Sequence, residues 1–321
     1  MSTGTSDILC DPEVVRFVEK SERFYPASTN EADAAENRRI YDRMCAAFRA
    51  PRPQEVMVSD WKLTSPPSQP PVQVREYHIQ GKSDRRGTWV LYLHGGGFVV
   101  GGLESHDDIC AEICAKSGLP VVAVAYRLAP EHVFPAALDD AWLAYQFLTA
   151  ERRRVIVAGD SAGANLCAAI CMRASRLRYE QPLKQVLIYP QLGLTSDTIS
   201  YREHANAPML RAIDCERYRN IYSGGQVVPE TLLPEFAPLT ASSFVGLAPA
   251  FIVTADIDPL RDDGRIYAMR LKEAGVVAEW RNEPQLVHGY LRARHLSHRA
   301  RESFIAILGA IAPASGLLGA D

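Results

Sequence analysis

A five-residue segment centred on Ser161 constrains the fold of this chain more than any other feature of its sequence. It reads Gly-Asp-Ser-Ala-Gly at 159–163 and directly follows the apolar run at 155–158. A serine held on a very sharp turn needs neighbours without a Cβ, because the backbone has to close up around it. The small residues that follow, 162–170, are typical of a buried helix. We therefore predict a strand, a tight turn and a helix that present Ser161 as a candidate nucleophile.

A second glycine-rich segment, His-Gly-Gly-Gly-Phe at 94–98, follows another apolar run. Successive glycines let the main chain approach a substrate and point its N–H groups at it. In acyl transfer the carbonyl oxygen becomes an anion, and fixed N–H donors stabilise that charge. We expect the donors to be the N–H groups of Gly96, Gly97 and Ala162, the last of which follows the candidate nucleophile. A plain glycine-rich turn is the alternative interpretation.

Asp258 and His288 are the candidates for the acid and the base that such a serine needs. A serine hydroxyl is a poor nucleophile until a base takes its proton, and a carboxylate must orient that base. Asp258 follows the apolar run at 250–255, so we predict it on a loop at the carboxyl end of a strand, where active sites of open α/β sheets lie. His288 comes after a strand candidate at 276–280. The order serine, acid, histidine is the one expected with this kind of strand–turn–helix nucleophile.

Three more aspartates lie close enough to Asp258 to compete for the role of acid. Asp262 and Asp263 fall where the next helix begins, so we expect them to cap that helix and to compensate its dipole. Asp256 is expected to be a turn residue at the end of the strand.

The other histidines are weaker candidates for the base. His94 belongs to the glycine-rich segment, where we expect it to make a structural hydrogen bond. His295 and His298 lie in a basic stretch, 292–299, which we interpret as a solvated helix face. The remaining four precede Asp258 in the chain, which argues against them: His78, His106, His132 and His204.

Apolar runs and helical patterns alternate along most of the chain. The strand candidates in this part are the runs at 89–93, 121–125, 155–158, 186–189 and 250–255. This alternation predicts the α/β class, with a mostly parallel central sheet flanked by helices on both faces. Before it, the candidates 55–61 and 72–79 are expected to form a hairpin.

Two helices are predicted before these strands. Asp11 caps the first, and Pro12 fits its first turn. The second carries an apolar stripe with a spacing of four residues: Ile40, Met44 and Phe48. A later helix is expected to begin with a capping box at 105–108.

Several motifs together resemble one enzyme family. Besides the two glycine-rich segments they are Tyr-Arg-Leu-Ala-Pro-Glu-His at 126–132, Phe-Pro-Ala-Ala-Leu-Asp-Asp at 134–140, Asp-Pro-Leu-Arg-Asp at 258–262 and His-Gly at 288–289. The chain resembles the bacterial branch of the hormone-sensitive-lipase family of esterases, which has the α/β-hydrolase fold. The resemblance implies a carboxylic-ester hydrolase that uses Ser161, Asp258 and His288. It also implies a helical cap over the site and a preference for short or medium acyl chains.

The chain departs from the family pattern at three places. Relatives often carry an aspartate where this chain has Ala125, and a third glycine after the serine turn where it has Ala164. Tyr290 replaces the more usual phenylalanine. None of the three touches a reacting group, although Ala125 removes a possible local polar contact.

The segment from 191 to about 235 interrupts the alternation of strands and helices, and an insertion this long should have structure of its own. Together with the resemblance it divides the chain into 1–50 (N-terminal part of the cap), 51–190 (first part of the core), 191–235 (cap insertion) and 236–321 (second part of the core). Our hypothesis is that Met209, Tyr218 and Tyr222 face the acyl pocket or line its entrance. Packing inside the cap is the alternative, because apolar helical stripes generally bury themselves.

Composition limits the partners and the compartment. The net charge is −3 without long runs of one sign, so we expect no nucleic-acid partner. We expect neither a membrane span nor a secretory leader, because no apolar stretch of about 18 residues is present and the first residues lack a basic region. The seven cysteines include no Cys-x-x-Cys pair and are typical of an apolar core in the reducing cytoplasm. We expect a small ester as the substrate, no metal or organic cofactor, and a monomer or homodimer.

Two other functions stay open on the sequence. The same residues could serve amide, carbamate or lactone hydrolysis, or transacylation to an alcohol. The chain could also be a small-ligand receptor, since the plant gibberellin receptor resembles this family. That receptor class lacks the base histidine, so the presence of His288 favours an enzyme.

Overall fold

Eight strands form a single sheet within the part of the chain that this computed structural model describes, residues 9–25, 33–64, 70–81, 87–193 and 196–312. They are β1 (Val56–Leu63), β2 (Val72–Ile79), β3 (Thr88–Leu93), β4 (Val121–Ala125), β5 (Arg154–Asp160), β6 (Lys184–Ile188), β7 (Ala250–Ile257) and β8 (Ala278–Val287). The order across the sheet is β1-β2-β4-β3-β5-β6-β7-β8. The β1–β2 and β2–β4 pairs are antiparallel and the other neighbours are parallel, which confirms the predicted hairpin and the mostly parallel sheet.

Helices follow most of the strands in the chain. They are α1 (Pro12–Glu22), α2 (Ala34–Phe48), α3 (Asp107–Ser117), α4 (Ala136–Ala150), α5 (Ala162–Leu177), α6 (Ile199–Glu203), α7 (Ala212–Ser223), α8 (Leu233–Phe236), α9 (Arg261–Glu273) and α10 (His298–Ile311). A 3₁₀ turn, Tyr290–Ala293, follows β8. Among the described residues, no helix combines the length and the apolar character needed to cross a membrane.

Both faces of the sheet are covered, as its apolar strands require. Along β3, Trp89, Leu91 and Leu93 pack into a cluster with residues of α4, α5 and α9. The alternate residues Val90 and Tyr92 pack into a second cluster with residues of α1, α2, α3 and α10. Side chains of a strand alternate between the two faces, so the two clusters are the two sides of one sheet.

The two N-terminal helices begin and pack as predicted. The Asp11 side chain accepts hydrogen bonds from the backbone N–H groups of Glu13 and Val14, and Pro12 occupies the first position of α1. The predicted stripe of α2 is buried, and the ring of its Phe48 meets that of Phe17 in α1 with 5.2 Å between centroids. Both helices belong to the same apolar cluster as β8 and α10.

The capping box predicted at 105–108 is wrong. Helix α3 begins at Asp107, and the preceding His106 makes no capping hydrogen bond through its side chain. The Ser105 hydroxyl accepts from the N–H of Gly102 instead, and lies 2.8 Å from His106 Nδ1. The acid that would complete the box, Asp108, accepts from the N–H of Ala50 and from Arg294 instead.

The interpretation of 292–299 as a solvated helix face is also wrong. His295 and His298 are exposed, but Arg292 and Arg294 are buried. Arg294 donates to Asp108 Oδ2 at 2.5 Å and to Glu112 Oε2 at 2.8 Å, both on α3. Burial alone would raise the pKa of the Asp108 carboxyl, but Arg294 holds it below its usual value. The segment begins as a 3₁₀ turn, so helical periodicity did not describe it.

This buried ion pair gives a prediction for stability. Arg294→Met is expected to lower the free energy of unfolding by about 3–5 kcal/mol, because the Asp108 carboxylate stays buried without its cation. Arg39→Met is the matched control: the Arg39 side chain is 70% exposed, so the change should stay within about 0.5 kcal/mol. Urea unfolding followed by circular dichroism measures both. Equal midpoints for the two variants would show that the Arg294 pair does not support the fold.

Candidate active site

The backbone at Ser161 is strained in the way the glycines around it predict. Ser161 has φ 53° and ψ −116° and stands between the end of β5 and the start of α5. A Cβ on Gly159 would lie 2.5 Å from the carbonyl oxygen of Leu93, and a Cβ on Gly163 would overlap the same oxygen. Only glycine therefore lets β3 approach the turn this closely. This conformation is unfavourable for a residue other than glycine, so contacts with the surrounding structure must stabilise it. Such strained residues are common at functional sites.

Ser161, His288 and Asp258 form one chain of hydrogen bonds. Ser161 Oγ lies 2.9 Å from His288 Nε2, and His288 Nδ1 lies 2.7 Å from Asp258 Oδ2. The carboxylate accepts at Nδ1, so that nitrogen carries the hydrogen and Nε2 is free to accept from the serine hydroxyl. Asp258 is fully buried, and its Oδ1 accepts from the N–H of Leu260 at 2.9 Å. The three residues follow β5, β8 and β7, at the carboxyl end of each strand.

The competing aspartates have other partners. Asp256 accepts from the Asn282 side chain at 2.8 Å. Asp262 and Asp263 lie in the first turn of α9, as expected of acids that compensate the helix dipole, but the expectation that they cap the helix is wrong. Asp263 Oδ2 accepts from the N–H groups of Leu192 and Gly193, and Asp262 Oδ2 from that of Ser200. Burial raises the pKa of Asp263 to about 6, although the hydrogen bonds from the Leu192 and Gly193 N–H groups act to lower it.

The glycine-rich segment runs beside the serine turn with its backbone in the left-handed region. Gly96 has φ +126° and Gly97 has φ +60°. A Cβ on Gly97 would lie 2.5 Å from the ring of Tyr218, so α7 closes directly over this segment. Within the described parts of the chain, the N–H groups of Gly96, Gly97 and Ala162 have no protein acceptor. They are free to bind an anionic oxygen next to Ser161.

Asp160 links the two glycine-rich segments, and sequence reasoning missed it. Its Oδ1 accepts from the Tyr92 hydroxyl at 2.9 Å, from the N–H of Gly95 at 3.0 Å and from His106 Nε2 at 3.1 Å. Burial alone would raise the pKa of Asp160, but His106, Arg292 and the Tyr92 hydroxyl hold it far below its usual value. The only signal in the sequence was an acid inside the glycine-rich motif. Its partners come from three other segments.

His94 has the structural role expected of it. Its Nδ1 lies 2.8 Å from the carbonyl oxygen of Gly95, and its ring stacks on Tyr126 with centroids 4.1 Å apart. Burial, reinforced by the neighbouring His106, lowers its pKa to about 3. The ring is therefore neutral near pH 7.

The neutral state of His94 predicts how stability depends on pH. The pKa is about 3 in the folded chain and 6.5 for an ordinary histidine, so between these values the unfolded chain binds more protons. Its contribution is complete above pH 6.5 and decreases by about 1.4 kcal/mol per pH unit as the pH falls through that window. In urea unfolding at pH 7, 6 and 5, the free energy of unfolding of His94→Asn should fall less with decreasing pH than that of the parent. His298→Asn, whose ring is 71% exposed, should match the parent. If the free energy of unfolding fell equally with pH for all three proteins, His94 would not be a buried neutral histidine.

The candidate residues open into a cavity of about 540 Å³. Ser161, His288, Gly96 and Gly97 line it, and so do Met209 and Tyr218 of the predicted pocket. It is further lined by residues that the sequence did not indicate: Tyr41, His106, Tyr189 and Arg292. Among the described residues, no group of three or more His, Cys, Asp or Glu side chains is arranged to hold a metal ion.

The hypothesis that Tyr222 faces the pocket is wrong. Its side chain is buried and lies outside the cavity lining. The ring stacks on Phe98 with 3.6 Å between centroids and also packs against Phe236 and Phe134. Tyr218 and Tyr222 share one face of α7, but the last turn of this helix meets an aromatic cluster rather than the cavity. Packing, the alternative weighed for this residue, describes Tyr222.

Comparisons with known proteins place this chain among α/β-hydrolases and esterases. A family model described as the alpha/beta hydrolase fold matches residues 90–292. The ethyl acetate hydrolase of Pseudomonas putida is 32% identical over 95% of this chain and 97% of its own. The carboxylic ester hydrolase LipN of Mycobacterium tuberculosis is 36% identical over 77% of this chain and 68% of its own.

A solved structure extends the comparison. The crystal structure of an esterase from the bacterial hormone-sensitive lipase family superposes with a TM-score of 0.83 at 25% identity, over 94% of this chain and 97% of that one. The fold and the resemblance expected from the sequence are thereby confirmed. The chain belongs to the α/β-hydrolase fold family, and within it to the carboxylic-ester hydrolases related to hormone-sensitive lipase.

Proposed function

We propose that this protein hydrolyses carboxylic esters of short to medium acyl chain length through an acyl-enzyme on Ser161. One observation carries the proposal: a continuous hydrogen-bond chain from Asp258 through His288 to Ser161 ends beside unoccupied backbone donors, inside a cavity of about 540 Å³. A nucleophile, a base held by an orienting acid, and donors for an oxyanion are the parts that acyl transfer needs.

In the first half of the reaction, Ser161 Oγ attacks the ester carbonyl carbon while His288 Nε2 takes the hydroxyl proton. The carbonyl oxygen becomes an anion and accepts hydrogen bonds from the N–H groups of Gly96, Gly97 and Ala162. The carbon–oxygen bond to the alcohol then breaks, and the alcohol leaves with the proton from Nε2. Asp258 holds the Nδ1 hydrogen throughout and stabilises the imidazolium.

In the second half, a water molecule attacks the acyl carbon and His288 Nε2 takes one of its protons. The same backbone donors stabilise the second oxyanion. The bond between the acyl carbon and Ser161 Oγ breaks, the serine recovers its proton, and the carboxylic acid is released.

The cap is the second element of the proposal. We assign 1–50 and 191–235 to it, around a core of 51–190 and 236–321. Contacts between the two parts support this division: Arg38 in α2 donates to the carbonyls of Val99 and Ala129, and Tyr218 in α7 lies over Gly97. Met209 and Tyr218, both on the cavity wall, would limit the length of the acyl chain.

Removing the nucleophile tests the mechanism. Ser161→Ala should lower kcat for a chromogenic acyl ester by about 10⁴-fold or more, and Asp258→Asn by about 10⁴-fold through loss of the correct imidazole tautomer. Ser175→Ala, an exposed serine in the helix that Ser161 precedes, should retain the parent activity. A serine-reactive phosphonate should label the parent and not Ser161→Ala. Near-normal turnover by Ser161→Ala would place the nucleophile elsewhere.

The same assay defines the substrate class. Acyl chains of increasing length, compared by kcat/KM, measure how far the pocket extends. Amides and lactones at matched concentration should be much poorer substrates than esters. Faster turnover of either would replace ester hydrolysis by a different acyl transfer.

The approach of α7 to the glycine-rich segment predicts a rescue. Gly97→Ala should lower kcat by about 10²-fold, because a Cβ 2.5 Å from the Tyr218 ring would displace the backbone donors. Adding Tyr218→Ala should restore part of that rate by removing the clash. Gly102→Ala is the control, since a Cβ there meets no atom within 4 Å. An equal loss with and without Tyr218→Ala would show that the clash is not the cause.

The compartment and the assembly are also proposals. We infer a reducing cytoplasm, which the buried free thiols support: Cys45, Cys110, Cys114, Cys167, Cys171 and Cys215. A monomer or a homodimer is proposed on the resemblance to related esterases. Sedimentation of the purified protein distinguishes the two.

A further inference from the structure

A buried guanidinium lies in the wall of the cavity that holds Ser161, and the proposed mechanism does not use it. Arg292 is 7% exposed and sits in the 3₁₀ turn that begins two residues after His288. It lines the same cavity as Ser161 and His288. Burying a cation is costly unless it has a partner, so its contacts decide what it is there to do.

Arg292 uses only part of its hydrogen-bonding capacity on the protein. Its Nη1 donates to the carbonyl oxygen of Ser105 at 2.7 Å, and its Nη2 donates to the Tyr41 hydroxyl at 2.9 Å. Both acceptors are neutral. A guanidinium has five N–H donors, so these contacts fix its orientation and leave donors over.

His106 does not use the remaining capacity. Its Nε2 lies 3.3 Å from Arg292 Nη2, but the same nitrogen lies 3.1 Å from Asp160 Oδ1. A nitrogen that donates its hydrogen to Asp160 has no lone pair for Arg292. The Ser105 hydroxyl lies 2.8 Å from the other ring nitrogen and 2.9 Å from the carbonyl oxygen of Gly102, so it has an acceptor on either side and is compatible with this tautomer.

The charge of Arg292 has no direct counter-ion either. Among the described residues no carboxylate oxygen lies within the 4.0 Å of an ion pair with it. Asp160 is separated from it by His106 and is already bound by Tyr92 and Gly95. Asp214, another acid on the cavity wall, is paired with Arg211 at 2.8 Å.

We propose that Arg292 binds a free carboxylate of the substrate, so that the preferred esters carry a second, ionised carboxyl group. This inference rests on the proposed function, since it assigns the substrate class of the same site. A planar guanidinium held in place by Ser105 and Tyr41 suits bidentate binding of a carboxylate. Asp160 acts on Arg292 from the far side of His106, so a substrate carboxylate would add the direct anionic contact that the described residues do not provide.

The carboxylate can belong to either half of the ester, and two substrate series distinguish them. Monoethyl esters of succinate, glutarate and adipate carry it on the acyl half. Acetyl esters of ω-hydroxy acids of matched length carry it on the alcohol half. Each is compared with its neutral primary amide, which has nearly the same size, and kcat/KM is measured in a pH-stat.

For the parent enzyme, kcat/KM should favour the acid over the amide by about tenfold or more in one of the two series. Arg292→Met should bring that ratio to about one, and Arg292→Lys should retain a smaller preference because it keeps the charge. Arg39→Met changes the net charge equally on the exposed face of α2 and should keep the parent ratio. Amides that match or exceed the acids in both series, or a ratio unchanged in Arg292→Met, would overturn the proposal.

A binding measurement separates this proposal from the proposed function and does not depend on an Arg292 variant folding. Calorimetry with Ser161→Ala should show the favoured monoacid ester binding about tenfold more tightly than its amide, with the difference shrinking at high salt. Equal affinities would refute the carboxylate site. Turnover of neutral esters without an acid preference would refute it too, while leaving the esterase mechanism standing. Acid-selective binding by a protein that hydrolyses no ester would support the carboxylate site and refute the esterase mechanism.

Discussion

The buried carboxylate of Asp160 is the interaction on which the arrangement of the site depends. It is the last residue of β5 and directly precedes Ser161, and its oxygens bind the N–H of Gly95, the Tyr92 hydroxyl and His106. One anion thus fixes the serine turn to the segment that carries the backbone donors. Because it is buried, its charge has to be balanced by hydrogen bonds and a nearby cation, and several segments of the chain are drawn to this point.

Local sequence patterns predicted the parts of the structure that depend on local physics. The strand–turn–helix at Ser161 follows from glycines that no other residue can replace so close to Leu93. The positions of Asp258 and His288 follow from the alternation of strands and helices, which brings the carboxyl ends of parallel strands to one edge. The hydrogen bonds from Ser161 to His288 and on to Asp258 are what that topology leads one to expect.

The predictions that failed concern side chains whose partners lie far away in the chain. Arg292 and Arg294 looked like a solvated face, because nothing nearby shows that their partners are on α2 and α3. Asp263 looked like a helix cap, but it accepts hydrogen bonds from Leu192 and Gly193 about seventy residues earlier. Tyr222 shares a helix face with Tyr218, and only the packing of Phe98 and Phe236 separates their environments. Spacing along a helix could not distinguish these cases.

In the proposed mechanism, the contacts of α7 would tie substrate selection to reaction rate. Tyr218 covers Gly97, and Tyr222 stacks on Phe98. Two adjacent residues of the glycine-rich segment at 94–98 therefore pack against successive turns of one helix. A substrate large enough to push this helix outward would loosen the support of the proposed oxyanion donors while it enters. Substitutions along α7 that enlarge the pocket would therefore lower kcat. Substitutions in parts of the cavity wall that do not contact the glycine-rich segment would be the better way to broaden the substrate range.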